Sequence, residues 1–258
     1  MDLSNLLSIF SNGIQDKVLR SERVSTLQQI LSEEFGENAQ LESVERLRSR
    51  KNIVLHLKLG TMSPTDVVAK LFVVDKFDIE LQILKTSWEK SLSVPEVINA
   101  KNGVILMNFL AGDLFVDILN HTFKIEYVDL LADWYHRFHS AHGMIKGDPR
   151  LRNFLCLNDI LYGVDFEECR LADWMLDIGG IAASFLDTDP IFDVRKRRLC
   201  WRLLEQYLAL NGKSRTNKID QEFIETVAES LNQTSIRRNS EAISSLAQDV
   251  RRNGIPTD

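Results

Sequence analysis

Long apolar runs are missing from this chain of 258 residues: no stretch approaches the roughly 20 apolar residues that a membrane-spanning helix needs, which argues against a helical membrane protein. Cysteine is scarce. Cys156, Cys169 and Cys200 are too few and too far apart for a disulfide framework or a zinc site, and no Cys-x-x-Cys occurs, so they read as reduced, mostly buried thiols. An excess of positive charge is also lacking. The 31 Lys and Arg against 37 Asp and Glu leave −6 at pH 7, and no extended nucleic-acid surface is expected. The run Arg195-Lys196-Arg197-Arg198 sits inside a helical pattern and reads as a solvated face. The start, MDLSNLLSIFSNG, has neither the basic opening nor the cleavage site of a secretion signal, so the cytoplasm is the expected location. No internal repeat is visible. What is present, 44% hydrophobic and 26% charged residues, is ordinary globular usage in a chain long enough for two lobes sharing one cleft.

The hydrophobic period changes along the chain. Up to about residue 36 it is helical, with Val24, Leu27 and Leu31 on one side and Gly36 as a stop. From 41 to 74 it is that of strands. Ile53, Leu55, Leu57 and Leu59 alternate with polar partners, Val67 to Val74 reads as a buried strand, and Gly60 to Pro64 supply the turn. The helical period returns over 76–90, where Phe77, Leu81, Leu84 and Trp88 form a stripe, and Pro95 marks the exit. Val104 to Leu110 reads as another buried strand. After residue 113 helices dominate, notably over 126–141 with Leu130, Leu131, Trp134 and Phe138 on one face. One β interruption is expected, a tight hairpin from Phe154–Leu157 and Ile160–Val164 around Asn158-Asp159, a pair that tolerates positive φ.

That hairpin carries the chemistry. Asp148 and Asn153 precede its first strand and Asp165 follows its second, so the open end should set Asn153 and Asp165 across neighbouring strands, about 5 Å apart at the backbone. A carboxylate and an amide oxygen sharing one cation suit a hard ion such as Mg²⁺, which draws its other ligands from phosphate and water. Asp148, five residues before Asn153, would orient or deprotonate a hydroxyl. Gly-Asp-Pro and Asp-Phe are each also common turn chemistry. It is the joint order, Gly147-Asp148-Pro149-Arg150-Leu151-Arg152-Asn153, hairpin, Val164-Asp165-Phe166, that points to a site.

These segments resemble the protein-kinase-like superfamily, whose catalytic loop runs His-x-Asp-x-x-x-x-Asn and whose metal-binding segment is Asp-Phe-Gly. Lys146-Gly147-Asp148 and Asp165-Phe166-Glu167 look more like its aminoglycoside phosphotransferase and choline kinase branch than like regulated protein kinases. The resemblance implies a bilobal α+β fold, with a small antiparallel-sheet N-lobe bearing one helix and a mostly helical C-lobe. It divides the chain into a helical extension over 1–40, an N-lobe over 41–107 and a C-lobe over 108–258. It also implies ATP and Mg²⁺ as cofactors, with Asp148 as base and Asn153 and Asp165 as metal ligands. Val67-Val68-Ala69-Lys70 resembles the strand that carries the phosphate-binding lysine, and Glu80 is the helix carboxylate best placed to hold Lys70. Met107 falls at the gatekeeper position, and the backbone of Asn108 and Leu110 would meet the adenine edge.

His139 and Asp177 resemble residues that brace the catalytic loop, whereas His136, His139 and His142, at steps of three, lack a convincing ligand geometry because Gly143 ends their helix. Arg150 would either steady the transferred group or form an ordinary salt bridge. The expected phosphate-loop turn, Ser49-Arg50-Lys51-Asn52, has no glycine; its cations would contact phosphate or simply be exposed. The expected activity is transfer of the ATP γ-phosphoryl group to a hydroxyl of a small-molecule acceptor. The alternatives are an atypical Ser/Thr protein kinase, of the RIO or tRNA-modification-associated type and acting on protein, and a nucleotide-binding pseudokinase scaffold.

Overall fold

The computed structural model describes residues 21–36, 41–60, 63–73 and 75–258. They form two compact units. One comprises the described residues up to Trp88 together with Pro95–Ala111; the other comprises Glu89–Val94 and Gly112–Asp258. The fold is α+β, with an antiparallel sheet in the first unit and mostly helix in the second. No helix among the described residues is long and apolar enough to cross a membrane.

In the first unit, strands β1 (Ser43–Leu47), β2 (Ile53–Lys58), β3 (Asp66–Leu71), β4 (Val97–Lys101) and β5 (Val104–Asn108) form a five-stranded sheet in the order β1-β2-β3-β5-β4. Register explains the alternation seen in the sequence. Ile53, Leu55 and Leu57 of β2 stand opposite Leu71, Ala69 and Val67 of β3, and this face is closed by helix α1 (Ser21–Phe35) through Leu27, Ile30 and Leu31. Each of the three strand residues of β2 is fully buried, a contribution of about 1.5–3 kcal/mol apiece. The opposite face carries Val54, His56, Val68, Lys70, Ile105 and Met107. Part of the helix expected up to residue 36 is therefore α1; residues 1–20 lie outside the described residues.

Two expectations need correction here, and one strand was not foreseen. Strand β4 was not legible from apolar pattern, because its residues are all half-buried, although the Asn102-Gly103 pair with φ of 44° and 74° forms the hairpin turn such a dipeptide favours. Helix α2 (Phe77–Glu89) buries Glu80, Ile83, Leu84 and Ser87, not the stripe through Leu81 and Trp88; Trp88 is 53% exposed. The true stripe was hidden because its first member is a carboxylate and its last a serine. The strand expected to reach Val74 ends at Leu71, where Phe72 turns to the Gly103 carbonyl (2.9 Å).

The second unit holds helices α3 (Phe115–Thr122), α4 (Ile125–His142), α5 (Met175–Leu186), α6 (Val194–Leu210), α7 (Asn217–Arg238) and α8 (Glu241–Asn253). It also has a small sheet of β6 (Asp113–Leu114), β7 (Phe154–Leu157) and β8 (Ile160–Gly163). Its core is aromatic: Trp134 packs on Phe138 and Phe154 with ring centroids 5.2 and 5.0 Å apart. Leu130 lies off this face, 36% exposed, and Tyr135 takes its place in the core. Residues 89–94 belong to this unit because Ser93 O accepts from Trp134 Nε1 (3.0 Å) and Gly163 N (3.1 Å), while Lys90 and Arg137 donate to Ala141 O and Ser91 O. The basic run on α6 is not a uniformly solvated face. Lys196 is fully buried, its Nζ donating to Thr188 O (2.7 Å) and Thr188 Oγ1 (3.0 Å), and burial pulls its pKa down to about 8.

Candidate active site

On the first unit, β3 carries Lys70 and α2 carries Glu80. An ammonium within an apolar strand needs an anionic neighbour, and Lys70 Nζ stands 2.6 Å from Glu80 Oε2 with both side chains buried. Met107, on β5 opposite Val68, is 7% exposed on the same sheet face as Lys70. The Asn108 N–H donates to Glu96 O (3.0 Å), which removes it as a donor for a ligand and leaves the carbonyl of that residue for any such contact. Phe109 stacks on His56 at 3.9 Å, and Leu110 is half-buried. In the turn before β2, Arg50 and Lys51 are exposed. Asn52 is buried and braces the loop, accepting from Val73 N (3.0 Å).

On the second unit the segment 145–153 is pinned from below. Asp177, fully buried near the start of α5, accepts from Lys146 N (2.6 Å), Gly147 N (2.9 Å) and His139 Nε2 (3.0 Å), and Tyr207 holds the other ring nitrogen of His139 (2.8 Å). Gly147 has φ +80°, and a Cβ there would collide with the Glu168 carbonyl, so only glycine lets the chain turn at this point. Pro149 packs onto Gly180, where a Cβ would meet its ring. Above this base stands Asp148, 20% exposed. Its Oδ1 pairs with Arg150 Nε (2.9 Å) and its Oδ2 accepts from Asn153 Nδ2 (2.9 Å). Of the two roles open to Arg150, the structure contains the ion pair.

The hairpin forms around Asn158 and Asp159, both at positive φ, with Phe154 opposite Gly163. That register corrects the expectation for its open end. A two-residue turn makes Val164 the residue opposite Asn153, and Val164 N donates to Asn153 O (3.0 Å). Asp165 is one residue further on and leaves strand geometry with φ +64°. Its carbonyl accepts from Lys146 Nζ (2.8 Å), an ammonium with no solvent exposure that also lies over the Phe166 ring. The side-chain nitrogen of Asn153 is committed to Asp148, which leaves Oδ1 as the atom that could hold a cation.

Two residues of this neighbourhood were not singled out from sequence. Lys146 was read only as a departure from histidine, yet its Nζ ties the loop to Asp165. Glu167 is buried, with a carboxylate oxygen within 4.8 Å of one on Asp165. The signal for it was its place in Asp-Phe-Glu; burial was not readable. The three histidines of α4 do not converge on one point: His139 joins Asp177 and Tyr207, His136 lies edge-on to Tyr207, and His142 lies tilted against Phe138 at 4.7 Å.

No protein-family model and no curated protein matches the sequence. Solved structures do match in fold. Amicoumacin kinase hAmiN, in complex with AMP-PNP, Ca²⁺ and Ami, is 11% identical with a TM-score of 0.62 over 88% of this chain and 92% of that one. A choline/ethanolamine kinase family protein from Mesorhizobium loti is 13% identical, TM-score 0.56, over 88% and 94%. Choline kinase from Cryptosporidium parvum Iowa II is 9% identical, TM-score 0.57, over 89% and 94%. The chain thus has the protein-kinase-like fold that these small-molecule kinases share.

Proposed function

We propose that this protein is an ATP-dependent phosphotransferase that moves the γ-phosphoryl group to a hydroxyl of a small-molecule acceptor in the cytoplasm. The observation that carries the reading is Asp148, held at both carboxylate oxygens by Arg150 and Asn153 on a loop whose amides Asp177 fixes. A base fixed in this way meets the geometric demand of proton abstraction from a bound hydroxyl. The structural neighbours, kinases of amicoumacin and choline, support a small acceptor.

In this reading the acceptor oxygen forms a new bond to the γ-phosphorus as the bond from that phosphorus to the β–γ bridging oxygen breaks. ADP keeps the bonding pair, and Asp148 takes the hydroxyl proton. Lys70, oriented by Glu80, holds the α- and β-phosphates, and the backbone around Met107, through the Asn108 carbonyl and Leu110, meets the adenine edge. The metal-ligand set fits a hard ion. Asn153 offers only its amide oxygen, and Asp165, with Glu167 as a second carboxylate, adds oxygen ligands and no nitrogen or sulfur. Mg²⁺ bound there would neutralise phosphate charge, so that catalysis rests on positioning and electrostatics.

The test is Mg-ATP turnover across hydroxylated metabolites, antibiotics and protein fractions, comparing wild type with Asp148→Asn. Transfer to a small molecule that drops at least 100-fold in the variant is expected. Label found only in protein would favour a protein kinase, and nucleotide binding with no transfer by wild type would favour a scaffold.

A further inference from the structure

Helix α5 is apolar apart from two side chains, Asp177 and Ser184. Burial of such a helix leaves a polar group in need of a partner, and both find it in one segment. Asp177 accepts from Lys146 N and Gly147 N, and Ser184 Oγ accepts from Leu151 N at 3.2 Å. They stand seven residues apart, nearly two full turns, and so share a stripe about 10 Å long. Gly180 lies between them on that stripe, and its bare backbone admits the Pro149 ring. Asp177, Gly180 and Ser184 therefore meet Gly147, Pro149 and Leu151 in the same order. Asp148 and Arg150, the residues between, are left to pair with each other at 2.9 Å.

The serine holds the far end of the loop. Leu151 is fully buried, so its amide needs a protein partner. It also opens the short 3₁₀ turn Leu151–Asn153. At the end of that turn the Asn153 N–H donates to Arg150 O (2.9 Å), and Nδ2 donates to the Asp148 carbonyl (3.1 Å) and to Asp148 Oδ2 (2.9 Å). Asp177 anchors only the start of the loop. If Leu151 slips from Ser184, the turn slips with it, and the Asn153 amide leaves the carboxylate it holds.

We infer that Ser184 is a positioning residue of the proposed phosphotransferase: its hydroxyl, acting through Leu151 and Asn153, sets the aim of the Asp148 carboxylate. This deepens the phosphotransferase reading above and rests on it. Ser184 touches no reacting atom in this account. It matters because a base displaced by about 1 Å from its working position loses about a hundredfold in rate.

Three variants of the full-length protein isolate the hydroxyl. Ser184→Ala removes it, Ser184→Val removes it and adds a branch, and Ser184→Thr keeps it with a branch of the same shape. Nitrogen-15 NMR reads amide exchange at Leu151 and the side-chain NH₂ pair of Asn153. Mg-ATP consumption over the same panel of hydroxylated compounds reads transfer. In the Ala and Val variants, exchange at Leu151 is expected to quicken about three- to tenfold, the effect of one lost hydrogen bond, and the Asn153 pair to shift. The transfer kcat should fall about tenfold or more while affinity for ATP in EDTA is unchanged. The Thr variant should recover most of each. A fast-exchanging Leu151 beside wild-type Asn153 resonances and wild-type kcat would make Ser184 a local tie of the fold and overturn the inference. Unchanged exchange, or a Thr variant that behaves as Val, overturns it as well. Wild type that consumes no ATP with any compound sinks the phosphotransferase reading and the catalytic role of Ser184 with it, and the Asn153 pair still decides whether the serine sets the loop.

Discussion

Replacing Asp177 by asparagine changes almost no volume but removes a buried negative charge that three donors address. Oδ1 accepts from Gly147 N, and Oδ2 accepts from both Lys146 N and His139 Nε2. Asparagine has one carbonyl oxygen, and in its better orientation that oxygen keeps Lys146 and His139 while the amide NH₂ faces the Gly147 N–H. One charge-assisted hydrogen bond is then lost, worth roughly 1.5–3 kcal/mol, and the half-buried Gly147 donor is left without a partner, at a further cost of about 1–2 kcal/mol. A loss of about 3–5 kcal/mol follows. Urea unfolding followed by tryptophan fluorescence is the assay, because Trp134, Trp174 and Trp201 lie in the same unit as Asp177 and only Trp88 lies in the other. A midpoint corresponding to less than about 1 kcal/mol would refute the reasoning. It would mean that the loop amides do not depend on this carboxylate.

Gly147→Ala should cost about 2–4 kcal/mol, from positive φ together with the collision against the Glu168 carbonyl, whereas Gly212→Ala, at φ +65° in open space, should cost only about 1–2. Equal melting temperatures for the two variants would contradict this. Burial, with Lys90 adding to it, holds the His142 pKa at about 4 against an ordinary 6.5. As pH falls below 6.5 the unfolded chain takes up a proton that the folded one refuses until about 4, so stability declines through that window. The half-buried ring limits the effect to roughly 1–2 kcal/mol. Urea midpoints at several pH values should show a shallower slope in His142→Gln, and identical slopes would dismiss the idea.

The sequence was most legible where local chemistry decides structure. Asn158-Asp159 announced the hairpin, and β2 and β3 betrayed their buried face through alternation, because Leu and Ile can face α1 only at every second residue. It was least legible where tertiary partners decide. Glu80 lies on the buried face of α2 because Lys70 supplies a cation there, a fact invisible within the helix. Lys196 read as surface because nothing in its own segment announces Thr188 as its hydrogen-bond partner. At the candidate site, the loop and the Asp-Phe pair were readable as motifs, but the burial of Glu167 and the reach of Lys146 Nζ to the Asp165 carbonyl depend on how separate segments pack. The one-residue offset between Asn153 and Asp165 follows from the turn length, which pairs Asn153 with Val164.

The sheet of the first unit writes two messages in one stretch of chain. Ile53, Leu55 and Leu57, like Val67, Ala69 and Leu71, are committed to α1, while the residues between them, Val54, His56, Val68 and Lys70, are left to serve whatever meets the other face. A saturation library over 53–57 and 67–71 should therefore separate by parity. Odd positions would govern how much protein accumulates in the cell, and even positions would govern what that protein can do, with little overlap between the two classes.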